Sequence, residues 1–248
     1  MNAVNYQLEL DKIINKIKAE REKVEDYTPP KLLMHSCCAP CSSYCMEYLR
    51  EYFDITVFYF NPNISSSDEY QKRVDEEIRL IEAYNNQIVL YREWLNSQKK
   101  HEKECDSLIW EQNNMHITPY TRNIVLINGD YDPDLFYYSV KGYESCPEGG
   151  ARCNKCFELR LKRSFEVAKE IGADYVTSTL TISPLKNATK INEIGKDLEN
   201  TGVLWLPSDF KKRNGYKRSI ELSREFELYR QNFCGCVYSQ VERSKSEV

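Results

Sequence analysis

The chain reads as an α/β protein with a Rossmann-like open parallel sheet and flanking helices. Three observations predict it: short apolar, β-branched and aromatic runs bounded by turn residues; stretches of helical period between them; and a regular alternation of the two. A sheet wound this way places its sites at the carboxyl ends of the strands.

Leu8, Leu10, Ile13, Ile14 and Ile17 recur at helical spacing before Pro29 and Pro30, predicting a helical appendage over residues 1–28 that packs on the core. KLLMHS (31–36) predicts the first buried strand, and Pro40 suits the opening turn of a helix carrying Cys41, Cys45, Tyr48 and Leu49. DITVFYFNPNI (54–64) is a second strand with a turn at Asn61, Pro62 and Asn63, followed by a helix from Tyr70 to Tyr84 on which Val74, Ile78 and Ile81 keep the period. Residues 93–121, polar with Trp94 and Trp110, break the alternation and read as an insertion. NIVLINGDYDP (123–133) supplies a strand and turn. The helix expected over 157–171 aligns Phe157, Leu161, Phe165, Ala168 and Ile171 on one face, with Gly172 placed to end it. DYVTSTL (174–180), a helix over 187–200 and VLWLP (203–207) complete the pattern. No repeat or linker divides residues 31–248, which are expected to form a single domain.

A chain of 248 residues can bury a core without covalent staples, so its ten cysteines are not needed as rivets. Glu9 and Asp11 stand where a secretory leader would be apolar, and no run approaches the ~20 apolar residues that cross a bilayer. A cytoplasmic location with no membrane partner is therefore expected. In a reducing compartment clustered cysteines signal metal or redox chemistry rather than structural disulfides.

Eight of the ten cysteines fall in three clusters: Cys37, Cys38, Cys41 and Cys45; Cys153 and Cys156; Cys234 and Cys236. The first begins where a strand ends. The second is a CxxC at the start of a helix, where the dipole is expected to lower the thiol pKa values. Two distributions fit: Cys37, Cys38, Cys153 and Cys156 as the ligands of a 4Fe-4S cluster, or four thiolates around one structural zinc. Adjacent ligation of one small ion by Cys37 and Cys38 is strained, which favours the cluster. Cys41 is an extra ligand, a ligand to an additional mononuclear metal, or a free thiol; Cys45 reads as a small buried hydrophobe. Cys234 and Cys236, one glycine apart, either ligate metal or form a strained, reducible disulfide. Cys105, His101 and His116 have spacing that could be written as zinc, but read better as a surface thiol and solvated imidazoles.

Net charge is only −4, yet Lys211, Lys212, Arg213, Lys217 and Arg218 form a basic stretch, which suits either a phosphate-bearing partner or a solvated surface. No GxGxxG or GxxxxGK motif is present, so no nucleotide-triphosphate cradle is expected. Ser178, Thr179, Thr181 and Ser183 follow a strand, where they could meet a substrate but read better as turn residues.

Together HSCCAPC, EGGARCNKCFELRL, TLTISPLKNA, LPSDFKKRNGYKRSIELS and LYRQNFCGCVYS resemble the cobalamin-independent epoxyqueuosine reductases, from residue 31 to about 240. The resemblance implies a fold of the adenine-nucleotide α-hydrolase type and reduction of the epoxide of epoxyqueuosine at the tRNA wobble position to give queuosine. It implies Cys37, Cys38, Cys153 and Cys156 as 4Fe-4S ligands and Cys234 with Cys236 as a redox-active disulfide. An external electron donor is required, since removing an epoxide oxygen as water consumes two electrons. The basic stretch would hold anticodon phosphates, with Tyr216 stacking on a splayed base. His35, Asp209 and Tyr216 are candidate proton donors. The N-terminal helix and the 93–121 segment have no counterpart in this pattern. A zinc-stabilised tRNA-binding module and a thiol-disulfide redox protein are the rival readings.

Overall fold

A computed structural model describes residues 4–98, 116–199 and 202–246. Strands β1 (Lys31–Ser36), β2 (Asp54–Tyr59), β3 (Val125–Asn128), β4 (Tyr175–Ser178) and β5 (Leu204–Trp205) form one sheet in the order β3-β2-β1-β4-β5. Every pairing is parallel. The strand order reverses between β1 and β4, and a doubly wound sheet opens its crevice at that switch point.

Helices cover both faces. The near-continuous apolar run of β1 follows from this, because five of its six residues are buried. Leu32 and Met34 point into a layer with α1 (Tyr6–Arg21), α2 (Ala39–Leu49) and α3 (Ser67–Gln98), where Leu10, Ile14, Met46, Leu49 and Leu80 pack. Leu33 points the other way, against Phe157, Leu161 and Phe165. Those residues belong to the helix Ala151–Glu170, which is α5 once the short helix α4 (Pro133–Ser139) is counted. The same layer takes Ile191 from α6 (Ala188–Asp197). Gly172, at φ +64, ends α5: the Ala173 amide donates to Ala168 O at 2.8 Å, which closes the helix and aims the chain into β4.

All five predicted strands are present, and the helices differ from expectation in three ways. α3 continues past Tyr84 to Gln98, so the start of the expected insertion is the end of a helix, while residues 99–115, with His101 and Cys105, lie outside the described residues. α5 starts at Ala151, which puts the CxxC in its first turn. α4, α7 (Gly215–Glu225) and α8 (Val237–Ser246) carry too little apolar pattern to be read beforehand. The buried face of α7 is Gly215, Ser219, Leu222 and Ser223, of which all but Leu222 are small and allow close packing on α2.

Candidate thiol-rich active site

The chain leaves β1 at Ser36, stays extended through Cys38 and enters α2 with Pro40 in its first turn. This turn gathers Cys37, Cys38 and Cys41, whose sulfurs all lie within 4.8 Å of one another. The adjacent sulfurs of Cys37 and Cys38 are 3.9 Å apart, with Cys38 in an extended conformation. Cys45, fully buried one turn on, donates to Cys41 O at 3.3 Å and behaves as the small hydrophobe expected.

From β4, a 3-10 turn (Thr179–Ile182) leans over this cluster. The Thr179 hydroxyl accepts from the Cys37 amide at 3.1 Å and donates to its sulfur at 3.4 Å. Hydrogen bonds from Cys38 and Cys41 hold the Cys37 pKa well below that of an ordinary thiol, with help from Lys186 and Thr179 against the cost of burial. Its neighbours move the other way: donating to the Cys37 thiolate raises Cys38 to about 12 and lifts Cys41 as well. In the metal-free site one thiolate is therefore held by two thiols, and loading a metal would release protons.

The other clusters meet beside it. Cys153, Cys156, Cys234 and Cys236 line one small cavity with Arg152 and Arg160. The Gly149 amide donates to the Cys153 sulfur at 3.2 Å, and the Ser239 amide to that of Cys236 at 3.4 Å. The lowered pKa expected for the CxxC is not found. Burial outweighs the helix dipole, raising Cys153 and pushing Cys156 up to about 12; burial likewise takes Cys236 to about 11. Gly235 adopts φ +112, and an added Cβ there would lie 2.9 Å from Ile64 Cγ1, so only glycine fills the position without strain. The turn is tied to the loop after β2, where the Ser65 amide donates to Gly235 O at 3.0 Å and Asn63 to Cys234 O at 3.3 Å. All cysteines among the described residues are unpaired thiols.

Arg160 deserves its place in the site on physical grounds. It is 1% exposed, donates to Asn61 Oδ1 at 3.1 Å, and leaves its Nη2 without a partner. Burial opposes its charge, but Cys156, Cys234, Cys37 and Cys153 hold it. A buried guanidinium with an idle donor facing four sulfurs suits an anionic sulfur-rich group.

A second cavity of about 430 Å³ opens on Cys37, Cys38 and Cys41 and shares Cys234 and Glu148 with the smaller one. Arg73, Lys186, Arg230 and Arg243 supply its positive wall, Tyr216 and Phe233 its aromatic one. The sequence reading missed Arg73, Arg160, Lys186 and Arg243, which carry no local signal. It read Thr179 as a turn residue or a substrate contact, not as the partner of Cys37. Of the expected basic stretch, Lys211 pairs with Asp209 at 3.0 Å, Arg213 with Asp11, Lys217 with Glu221 at 3.9 Å, and Arg218 with Glu47 at 2.7 Å; Lys212 is exposed. Among the expected proton donors, Tyr216 reaches the large cavity and Asp209 does not line it. His35 is sealed in the sheet between the Ser178 hydroxyl at 2.8 Å and Phe60 O at 3.1 Å. Burial lowers its pKa to about 3, so it is a neutral core hydrogen-bonding group.

A doubly wound α/β sheet with a thiol-lined cavity beside its switch point defines the class: an α/β protein with a candidate metal site where such sheets place their active sites. A profile of the family Epoxyqueuosine reductase QueH matches residues 32–242. Similar curated proteins carry the same name: one from Staphylococcus epidermidis is 36% identical over 96% of this chain and 87% of its own length, and one from Streptococcus pyogenes 37% identical over 95% and 79%. One from Thermotoga maritima is 30% identical over 86% of this chain and 91% of its own. The chain belongs to the epoxyqueuosine reductase QueH family, oxidoreductases that reduce epoxyqueuosine to queuosine. The match with the staphylococcal protein, at 96% of this chain, reaches into α1, so the N-terminal helix is not foreign to these relatives.

Proposed function

We propose that the chain reduces epoxyqueuosine while it is part of a tRNA, in the cytoplasm, with electrons from an external donor entering through an iron-sulfur centre. The observation that carries this reading is the convergence of Cys37, Cys38 and Cys41 within 4.8 Å on the floor of a substrate-sized cavity. The all-thiol donor set and the idle Nη2 of buried Arg160 favour a 4Fe-4S cluster, and Cys37, Cys38, Cys153 and Cys156 would be its ligands. When bound, such a cluster supplies electrons one at a time. Cys234 and Cys236 would then serve as a dithiol that closes to a disulfide, holding two further electrons.

The chain's own groups do the rest. Thr179 fixes Cys37, and Arg73, ion-paired with Glu69 at 2.6 Å, also donates to Cys234 O at 3.4 Å and so holds the CGC turn over the cavity. Tyr216 and Phe233 offer ring faces for a splayed base, while Arg230 and Arg243 offer charge to its phosphates. Lys212 and Lys217, exposed at the approach to Tyr216, extend this track. Lys211, Arg213 and Arg218, held by carboxylates, would act on RNA only through the positions they give their neighbours.

The cavities themselves favour a second grouping of sulfurs. Cys153, Cys156, Cys234 and Cys236 share one cavity and would hold the cluster, while Cys37, Cys38 and Cys41 would hold a mononuclear metal with an open position. Anaerobic purification, iron and sulfide counts and visible absorbance test both. A broad iron-sulfur absorbance bleached by dithionite is expected, and zinc alone would overturn the reductase centre. Cys153→Ala should abolish colour and turnover together under either grouping. Cys236→Ser decides between them: retained iron and sulfide with lost turnover supports the dithiol, whereas lost iron and sulfide supports the four-thiol set.

A further inference from the structure

Four cations line the large cavity, Arg73, Lys186, Arg230 and Arg243, and Lys186 is the one given neither a carboxylate partner nor a place on the phosphate track. Arg73 is committed to Glu69, and Arg230 donates to the Ser223 hydroxyl at 2.9 Å. The Lys186 ammonium is matched with no carboxylate among the described residues. Lys186 lines this cavity together with Cys37, Cys38, Cys41 and Cys234.

Its placement is firm. Lys186 follows the 3-10 turn at the carboxyl end of β4, the turn whose Thr179 bonds Cys37. Its amide donates to Ser183 O at 3.2 Å, and the next residue, Asn187, caps α6 by accepting from the Lys190 amide at 3.1 Å. The backbone of Lys186 is thus held between two such elements, and its side chain lines the cavity beside the thiols.

The chemistry needs such a charge. An epoxide, two electrons and two protons give an alkene and water. Two electrons delivered from the reductant go to one epoxide carbon and break its carbon–oxygen bond, whose own pair stays on oxygen as an alkoxide, while the added pair on carbon is the one that becomes the double bond. Breaking the second bond forms the carbon–carbon double bond, and the oxygen, having taken two protons from solvent, leaves as water. A fixed hydrogen-bond donor at the nascent alkoxide stabilises the transition state in a water-poor site far more than it would in bulk water.

We propose that Lys186 is a catalytic residue of the epoxide reduction, donating a hydrogen bond to the epoxide oxygen and stabilising the negative charge that develops there. The inference rests on the reading that the substrate's epoxide enters the cavity over Cys37, Cys38 and Cys41. It is tested with Lys186→Met and Lys186→Arg, each purified anaerobically and reduced with excess dithionite before tRNA bearing epoxyqueuosine is added. Iron and sulfide content, the extent of the dithionite bleach, and equilibrium tRNA affinity are measured beside turnover.

The expected result for Lys186→Met is unchanged iron, sulfide and bleach, KM within about threefold of wild type, and kcat lower by about 10²- to 10³-fold, the usual loss for one such donor. Lys186→Arg, which keeps charge and donors, should recover at least about tenfold of that loss. A Lys186→Met variant as active as wild type overturns the inference alone. So does one that loses iron or bleaches incompletely, since Lys186 would then be serving the sulfur centre rather than the substrate. A loss confined to KM and tRNA affinity also overturns it, leaving Lys186 a binding residue. Wild-type protein without turnover overturns the underlying reading and this inference with it.

Discussion

Thr179 shows how a single side chain can belong to both the fold and the site. Its hydroxyl satisfies the Cys37 amide at the point where β1 has run out of ladder partners, and the same oxygen steadies the sulfur. Thr179→Val keeps the shape but leaves a buried amide without an acceptor, so a loss of about 1–3 kcal/mol is expected in urea unfolding. The same variant should raise the Cys37 pKa, read as slower alkylation of that thiol at neutral pH in metal-free protein. The cysteines announced themselves in the sequence because thiols are scarce and their spacing is tight. Thr179 and Arg160 did not, because a threonine in a turn or an arginine on a helix looks the same whether it meets water or sulfur. Only the contact across 142 residues between Cys37 and Thr179 separates the two cases.

Among the elements, α7 departs furthest from what its residues suggest. A stretch rich in lysine and arginine becomes a helix docked on α2, and Arg218 bonds Glu47 at 2.7 and 3.0 Å and Glu225 at 2.7 Å. Arg218→Met should therefore lower stability by about 1 kcal/mol, a figure reduced for its partial exposure, and barely change tRNA affinity. A large fall in affinity, measured at fixed salt, would return Arg218 to the RNA face. Close approach governs α6 in a similar way, for a side chain at Gly195 would drive into the Trp205 ring of β5. Gly195→Ala should cost about 1–3 kcal/mol through overpacking, although alanine is the better helix former, and a raised melting temperature would refute this.

For the molecule as a whole, two buried groups set opposing pH dependences. Glu77 is wholly buried, accepts from Ser42 at 2.6 Å, and burial raises its pKa to about 7. With the folded value above the unfolded one, its contribution is present below about pH 4.5 and lost as pH rises through 7. Glu77→Gln should thus gain about 2–3 kcal/mol on the wild type between pH 5 and pH 8 in metal-free protein, followed by denaturant unfolding at each pH. His35 acts in reverse: with its pKa lowered to about 3, its contribution is full above about 6.5 and drains as pH falls towards 3. A wild-type stability maximum between these two limbs is expected. Replacement of either residue should move that maximum, and a profile unchanged in both variants would mean that neither group titrates on unfolding.

By itself the sequence determined the alternation of strands and helices, because hydrophobic period is a local property written in neighbouring residues. It determined the sulfur inventory for the same reason, and its motifs carried the family. Only the tertiary structure decided which thiols share a cavity, which cations face it and which are spent on carboxylates. Those outcomes depend on segments more than a hundred residues apart meeting at the β1–β4 crevice, and burial there shifts pKa values in directions that no local spacing encodes.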